Sequence, residues 1–316
     1  MAGQDALKQV NKVLRYIEHH LNEPLSLEML AKISTYSAYH FQRTFKAIVG
    51  ETPAAYMKRL RLENAAHLLI YEPDIPVTEV ALMSGFSSLS YFTYSFQAYF
   101  RTSPSKWREG AYLERFPREY ASQDNRKKSK QLRKNEQEDG SPRGYNEFRW
   151  LDLNRVNIME MPACQAISRT KIGPYTAGIP QAWEDLYHWC TSRDFIKQDT
   201  FMFGIPRSNP YITPPEKSRY DCRVEISEEA LRHMDQDDIV WFQGGKHVVY
   251  VFEDKVDYRE RSRLIECYSE LYSYWLPKSG YRYLSNPIEW IELQQVEGSL
   301  STRCLIKAIG LAIEPK

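Results

Sequence analysis

The chain has 316 residues, 42% hydrophobic and 13% aromatic, with a formal net charge of +1. That length is too great for one small core and sets an expectation of two domains, in a composition ample for a folded soluble protein. The five cysteines, Cys164, Cys190, Cys222, Cys267 and Cys304, are scattered singly with no CxxC pair, which argues against a zinc site or a disulfide framework.

The near-neutral total hides an asymmetry. Residues 1–134 carry about +7 and residues 150–316 about −4, the distribution expected of a nucleic-acid binder fused to something else. The N-terminal stretch is polar and amphipathic without a signal-peptide core, and no apolar run approaches membrane-spanning length. A soluble cytoplasmic protein with no membrane partner is expected.

Leu7, Val10, Leu14, Ile17 and Leu21 recur at helical spacing and predict an amphipathic helix over about 5–21. Ser26 can cap a second helix that ends near Ser34, and Ser37 a longer one that runs to about Val49 and stops at Gly50. Thr52 and Pro53 start a fourth helix reaching about Leu69. At 1.5 Å per residue it would be roughly 27 Å long, close to the ~34 Å between successive major-groove faces of B-DNA. Pro76 precedes a short helix over about 77–83, Ser84-Gly85 makes a turn, Ser87 or Ser88 caps a helix to about Phe100, and Ser103-Pro104 repeats the cap-plus-proline device.

These elements repeat. Leu27–Tyr56 and Val77–Trp107 share one pattern of short helix, tight turn and longer helix. Ala31 answers to Ala81, Tyr36 to Phe86, Phe41 to Phe92, Phe45 to Phe96 and Pro53 to Pro104. Two such units in tandem predict two DNA-reading heads in an all-α domain over residues 1–116, with the fourth helix as spacer.

Residues 117–147 are dense in charge and nearly free of large aliphatics, as a linker would be. Residues 148–316 predict an α+β domain with an approximate internal repeat. Strand Val156–Met161 leads through Gly173-Pro174-Tyr175 to a helix bearing Trp183, Leu186 and Trp189, then strands MFGIP and YDCRVEI. Strand GKHVVYVFE leads to a helix bearing Tyr268, Leu271 and Trp275, then NPIEWIEL and CLIKAIGLAI. The unit is βαββ, written twice.

The run GFSSLSYFTYSFQAYFRTSPSKWR at 85–108, with RLRLENAAHLL at 59–69, closely resembles the DNA-binding domain of AraC/XylS-type bacterial transcription regulators. Residues from about 150 onward resemble the GyrI-like effector-binding domain, through GPYTAGIPQAWEDLYHW, TPPEKSRYDCRVEI and YWLPKSGYRYLSNPIEWIE. The resemblance implies a regulator of promoter DNA for stress, efflux or antibiotic-response genes, with a small-molecule effector, RNA polymerase as a candidate partner, and a monomer on DNA.

Phe41 and Phe45, four apart, would face inward and leave Tyr39, Gln42 and Arg43 on the outer side. Gln and Arg are the bidentate partners of adenine and guanine, and the resemblance assigns these three positions to DNA. It also assigns Ser90, Tyr91, Thr93 and Tyr94 to the groove in the second head, where no Lys or Arg occurs between Phe86 and Phe100. Arg59 and Arg61 are candidate phosphate ligands, Arg61 alternatively a structural ion-pair partner of the helical framework. In the strand NPIEWIEL, Glu289 shares a face with Ile291 and Leu293, so its carboxylate needs a partner. The resemblance places Glu289 in the effector cleft. Trp183, Tyr187, Tyr211, Tyr281 and Tyr283 are expected around it as an aromatic cage for a lipophilic cation. Trp290 should point to the opposite face. No GxSxG, HExxH, P-loop or GxGxxG occurs, so no catalytic residue, metal or cofactor is expected. A hydrolase built on Glu289 and a protein-interaction scaffold remain the alternatives.

Overall fold

A computed structural model describes residues 2–112, 155–295 and 302–316, apart from positions 198, 233, 235–238, 260–263, 265, 266, 269 and 285. The chain divides into two compact units, Met1–Arg115 and Phe116–Lys316. The expected linker, 117–147, lies outside the described residues.

The first unit is all helical: α1 (Ala2–His19), α2 (Leu27–Ile33), α3 (Ala38–Val49), α4 (Pro53–Tyr71), α5 (Val77–Met83), α6 (Leu89–Phe100) and α7 (Pro104–Arg108). Local chemistry sets the boundaries. Ser26, Ser37, Thr52, Ser88 and Ser103 each accept a hydrogen bond from a backbone N–H in the following first turn, satisfying a donor that the helix cannot pair. α1 lies earlier than expected, because the chain leaves the helix after His19 and turns before Ser26.

The first head closes on Val10, Val13, Leu14 and Ile17 of α1, Leu30 and Ala31 of α2, Phe41 and Phe45 of α3, and Tyr56 of α4. In the second head, Phe86, Phe92, Phe96, Phe100 and Trp107 are buried and meet ring to ring. The Trp107 indole N–H donates to Ala66 O at 3.1 Å, tying α7 to the spacer helix α4. Burying such rings is the largest apolar contribution a small helical unit can make.

Each head needs two residues in the left-handed region, one in its turn and one after its long helix, and glycine has changed places between them. The first head has Thr35 (φ 60°) and Gly50 (φ 84°); the second has Gly85 (φ 78°) and Arg101 (φ 60°). At Gly85 space also matters, since a methyl group there would stand 2.9 Å from Arg61 Nε and 3.2 Å from Leu21 O.

The second unit is built on one antiparallel path: β1 (Val156–Met161), β6 (Gly245–Asp257), β9 (Thr302–Pro315), β8 (Ile288–Gln295), β3 (Met202–Pro206), β4 (Arg219–Glu225), β2 (Cys164–Ile172) and β5 (Ile239–Phe242). A ninth strand, β7 (Tyr281–Tyr283), pairs with β9. The two ends of the path meet. Met161 pairs with Gly245 and, three residues on, Cys164 pairs with Phe242, so β1–β2 and β5–β6 pass each other at one corner. Gly244 lies there with φ 66°, and a Cβ on it would fall 2.3 Å from Met161 O.

Each copy of the repeat is therefore longer than the expected βαββ. A strand pair precedes each helical segment, and the expectation missed β2, β5 and the short β7. In β2 and β5 the apolar alternation is broken by Ser168, Arg169 and the exposed Trp241, so the period-2 signal is weak there. Helix α8 (Ile179–Thr191) packs on β2, β4 and β9. The second helical segment includes a π-helical turn, Leu271–Trp275, continued by Leu276–Lys278. All five cysteines are buried, and none forms a disulfide. Among the described residues no helix is long and apolar enough to cross a membrane, and no group of three His, Cys, Asp or Glu side chains is arranged to hold a metal.

Candidate nucleic-acid interface and effector site

In the first head, α3 turns Phe41 and Phe45 fully inward, and the 3.6-residue period leaves Tyr39, Gln42 and Arg43 exposed. Tyr39 is 72% exposed, and the Arg43 guanidinium lies 5.6 Å from its ring centroid. The same face carries His40 and Lys46, which the sequence reading did not single out.

In the second head, Phe92 and Phe96 take the places of Phe41 and Phe45. Ser90, Tyr91 and Tyr94 are exposed and Thr93 is half-buried, with Leu89 and Gln97 also on the surface. Lys58 of α4 stands beside this face, its Nζ 5.0 Å from the Tyr91 ring centroid.

Arg59 and Arg61, the candidate phosphate ligands, are both engaged within the helical unit. Arg59 is 5% exposed; its Nη2 donates to Glu51 at 2.6 Å and its Nη1 to Glu63 at 3.2 Å. Burial alone would disfavour its charge, but the two carboxylates outweigh it and hold the guanidinium protonated beyond its usual range. Glu63 also accepts from Tyr99 on α6 at 3.2 Å. Arg59 is thus buried at the centre of an ion-pair cluster joining the spacer to both heads. Arg61 donates to Leu21 O at 2.8 Å and Glu23 O at 2.7 Å, so it ties α4 to the segment after α1 through backbone carbonyls rather than through a carboxylate.

In the second unit, Glu289 is fully buried on β8. Gly204 of β3 pairs with both Glu289 and Cys222 of β4, so these three share a face. Tyr220, two residues before Cys222, lies on that face too and lays its ring across Gly204, where a Cβ would come 1.7 Å from the phenol oxygen. The ring ends on the carboxylate: the Tyr220 hydroxyl donates to Glu289 at 2.7 Å, and the Tyr268 hydroxyl at 3.2 Å. Burial, and then Glu289 itself, push the Tyr220 phenol well above its ordinary range, so it stays a donor. Trp290 points to the other face, pairing with Phe203 and meeting Phe201 edge-on. On that other face of β4, Asp221 accepts from Thr170 at 2.7 Å and Arg207 at 2.8 Å. Burial would raise its pKa, but Arg207, Arg219 and Arg223 hold it far below the carboxylate range.

The expected aromatic cage is spread out. Trp183 is completely buried on α8, and its indole N–H has no acceptor among the described residues. Tyr187, also on α8, and Tyr211 are half-buried. Tyr283 packs on Tyr272 of the π-helical turn, ring centroids 5.2 Å apart, and burial raises its phenol. Tyr281 belongs elsewhere: it stacks on Trp275 and pairs with Pro315, whereas Glu289 pairs with Ile309. Six residues along β9 is about 20 Å, too far for a phenol to span. The sequence reading missed Tyr220 and Gly204 and took Tyr268 only as a helix residue. Gly204 inside a strand was the available signal, since such a glycine often marks a close approach of another group.

Residues 30–110 match a family described as a helix-turn-helix domain, and residues 155–302 match the GyrI-like small molecule binding domain. Over 106 residues the chain is 41% identical to probable transcription factor PqrA of Proteus vulgaris, covering 33% of this chain and 86% of that protein. Over 102 residues it is 33% identical to transcriptional regulator Rob of Salmonella typhimurium, covering 32% of this chain and 35% of Rob, about a third of that relative. A superposition on the DNA-binding domain of AdpA, solved in complex with a target DNA, covers 34% of this chain and 95% of that one at 28% identity, with a TM-score of 0.32.

Proposed function

The chain belongs to the AraC family of DNA-binding transcription regulators and carries a GyrI-like domain, and we propose that a lipophilic cation bound at Glu289 gates its hold on promoter DNA. The observation that carries this reading is the setting of Glu289. A fully buried carboxylate is expensive unless charged or hydrogen-bonded partners meet it. Here two phenol hydroxyls, from β4 and from the second helical segment, close on it. A cation with aromatic flanks would replace or join those donors with a full charge and gain cation–π attraction from the phenol rings.

In the first unit, Tyr39, Gln42 and Arg43 on α3, with Ser90, Tyr91, Thr93 and Tyr94 on α6, would face two successive major-groove segments. Two heads in one chain make dimerisation unnecessary, so a monomer is proposed on an asymmetric site. Stress, efflux or antibiotic-response genes are the proposed targets, with RNA polymerase as the further partner.

The test of the effector site is tryptophan fluorescence of the full chain titrated with tetraphenylphosphonium and with neutral triphenylphosphine oxide. Saturable quenching by the cation alone, lost in Glu289→Gln, is expected. Equal binding of both compounds, or unchanged binding in the variant, would remove Glu289 from the site.

A further inference from the structure

The two long helices, α3 and α6, share one frame and present opposite surfaces. Aligned on their buried phenylalanines, His40 of α3 answers to Tyr91 of α6, Gln42 to Thr93, Arg43 to Tyr94 and Lys46 to Gln97. Three of the four exchanges put a hydroxyl-bearing side chain where the first head has a nitrogen-bearing one. Both cations are lost.

What replaces them is apolar surface left in water. Tyr94 is 70% exposed and Tyr91 52%, three residues apart on one side of α6. Contiguous exposed apolar surface marks an interaction face. Cations stand at its rim: Lys58 beside the Tyr91 ring, and Arg101, exposed, directly after the last turn of α6. An apolar centre with cations at its edge complements a groove floor bounded by phosphates.

On that floor the one projecting apolar group is the thymine C5-methyl, which stands where cytosine has only a hydrogen; the other features that identify the base pairs are hydrogen-bond donors and acceptors. Tyrosine, serine and threonine hydroxyls can act as donor or acceptor and so discriminate little between bases. The element of this face able to discriminate is its apolar surface.

We propose that α6 reads its half of the site through thymine methyl groups packed against Tyr94 and Tyr91, whereas α3 reads hydrogen-bonding edges. This rests on the DNA-reading role proposed above and assigns the second head its own code.

The experiment uses the full chain and a duplex selected by it from a random pool. The half-site whose base preference is lost in Tyr94→Ala belongs to α6. In that half, each thymine is replaced in turn by deoxyuridine, which removes the methyl and nothing else. A loss of about threefold to fivefold per contacted methyl is expected, with no loss in the α3 half. Replacing a contacted T·A pair by C·G should weaken binding, and 5-methylcytosine should recover part of that loss. Tyr94→Phe should bind as the unaltered chain does, because the ring and not the hydroxyl makes the contact. If a specific site is selected but deoxyuridine changes nothing in either half, the methyl code is wrong, and the apolar face belongs to a protein partner. If Tyr94→Ala alters no preference, α6 does not read bases. If no specific site is selected at all, the DNA-reading role falls, and this inference with it.

Discussion

The two heads of the helical unit are built alike and finished differently. Both bury a phenylalanine pair four residues apart, at Phe41/Phe45 and Phe92/Phe96, and both start their long helix on a serine. Outside that frame they diverge. The first carries Gln42, Arg43 and Lys46 on its surface; the second carries Ser90, Tyr91 and Tyr94. The frame is fixed by packing, where a wrong residue costs several kcal/mol. The exposed faces carry no such penalty, so they were free to take different chemistry.

The largest expected effect lies in what the heads share. Arg59→Met would leave Glu51 and Glu63, each only about a tenth exposed, as partly buried carboxylates without their cation. A loss of about 3–5 kcal/mol is expected, read by chemical denaturation followed by circular dichroism. Both heads should melt together; a single head melting alone would show that they are independent.

The spacer also carries His67, which burial lowers to about 4. Its folded pKa lies below the unfolded value, so its contribution is fully present above about 6.5 and is lost as pH falls toward 4. Up to about 3 kcal/mol should disappear over that window. His67→Gln should flatten that part of the stability–pH curve; an unchanged curve would assign the loss to other groups.

Arg43→Ala is expected to cost roughly 1–3 kcal/mol on the selected site and to relax one base position, in a competition assay against random DNA. Equal weakening on both DNAs would assign Arg43 to a phosphate and narrow the contrast between the heads.

The smallest effect sharpens the one difference inside the frame. Arg101→Gly should raise stability by about 1 kcal/mol by relieving a left-handed non-glycine residue. Gly50→Ala at the matching position of the first head should lower it by a similar amount. A loss of stability in Arg101→Gly would mean that the arginine side chain makes a contact worth more than the strain.

What was legible in the sequence was local. Cap residues such as Ser37 and Thr52 act on the next three residues, so their meaning can be read in place. The duplicated frame was visible for the same reason. Arg59 was misassigned because an arginine in a basic stretch looks the same whether it faces water or a carboxylate. Its partner Glu63, one helical turn on, was the missed clue. In the second unit the face of Glu289 followed from strand alternation, but its partners did not. Tyr220 and Tyr268 are 69 and 21 residues away in sequence, and only the register through Gly204 brings Tyr220 across. Tyr281 was misplaced because six residues of strand separate its row from that of Glu289, a distance set by pairing with β9.

The central claim is that the second unit controls the first through Glu289. Its most direct test is the affinity of the full chain for its selected duplex, measured with and without saturating tetraphenylphosphonium, in the unaltered chain and in Glu289→Gln. A change of about 5- to 150-fold, the usual range of coupling between two sites, that vanishes in the variant is the predicted result. A cation that binds at Glu289 and leaves the DNA affinity unchanged would contradict the account.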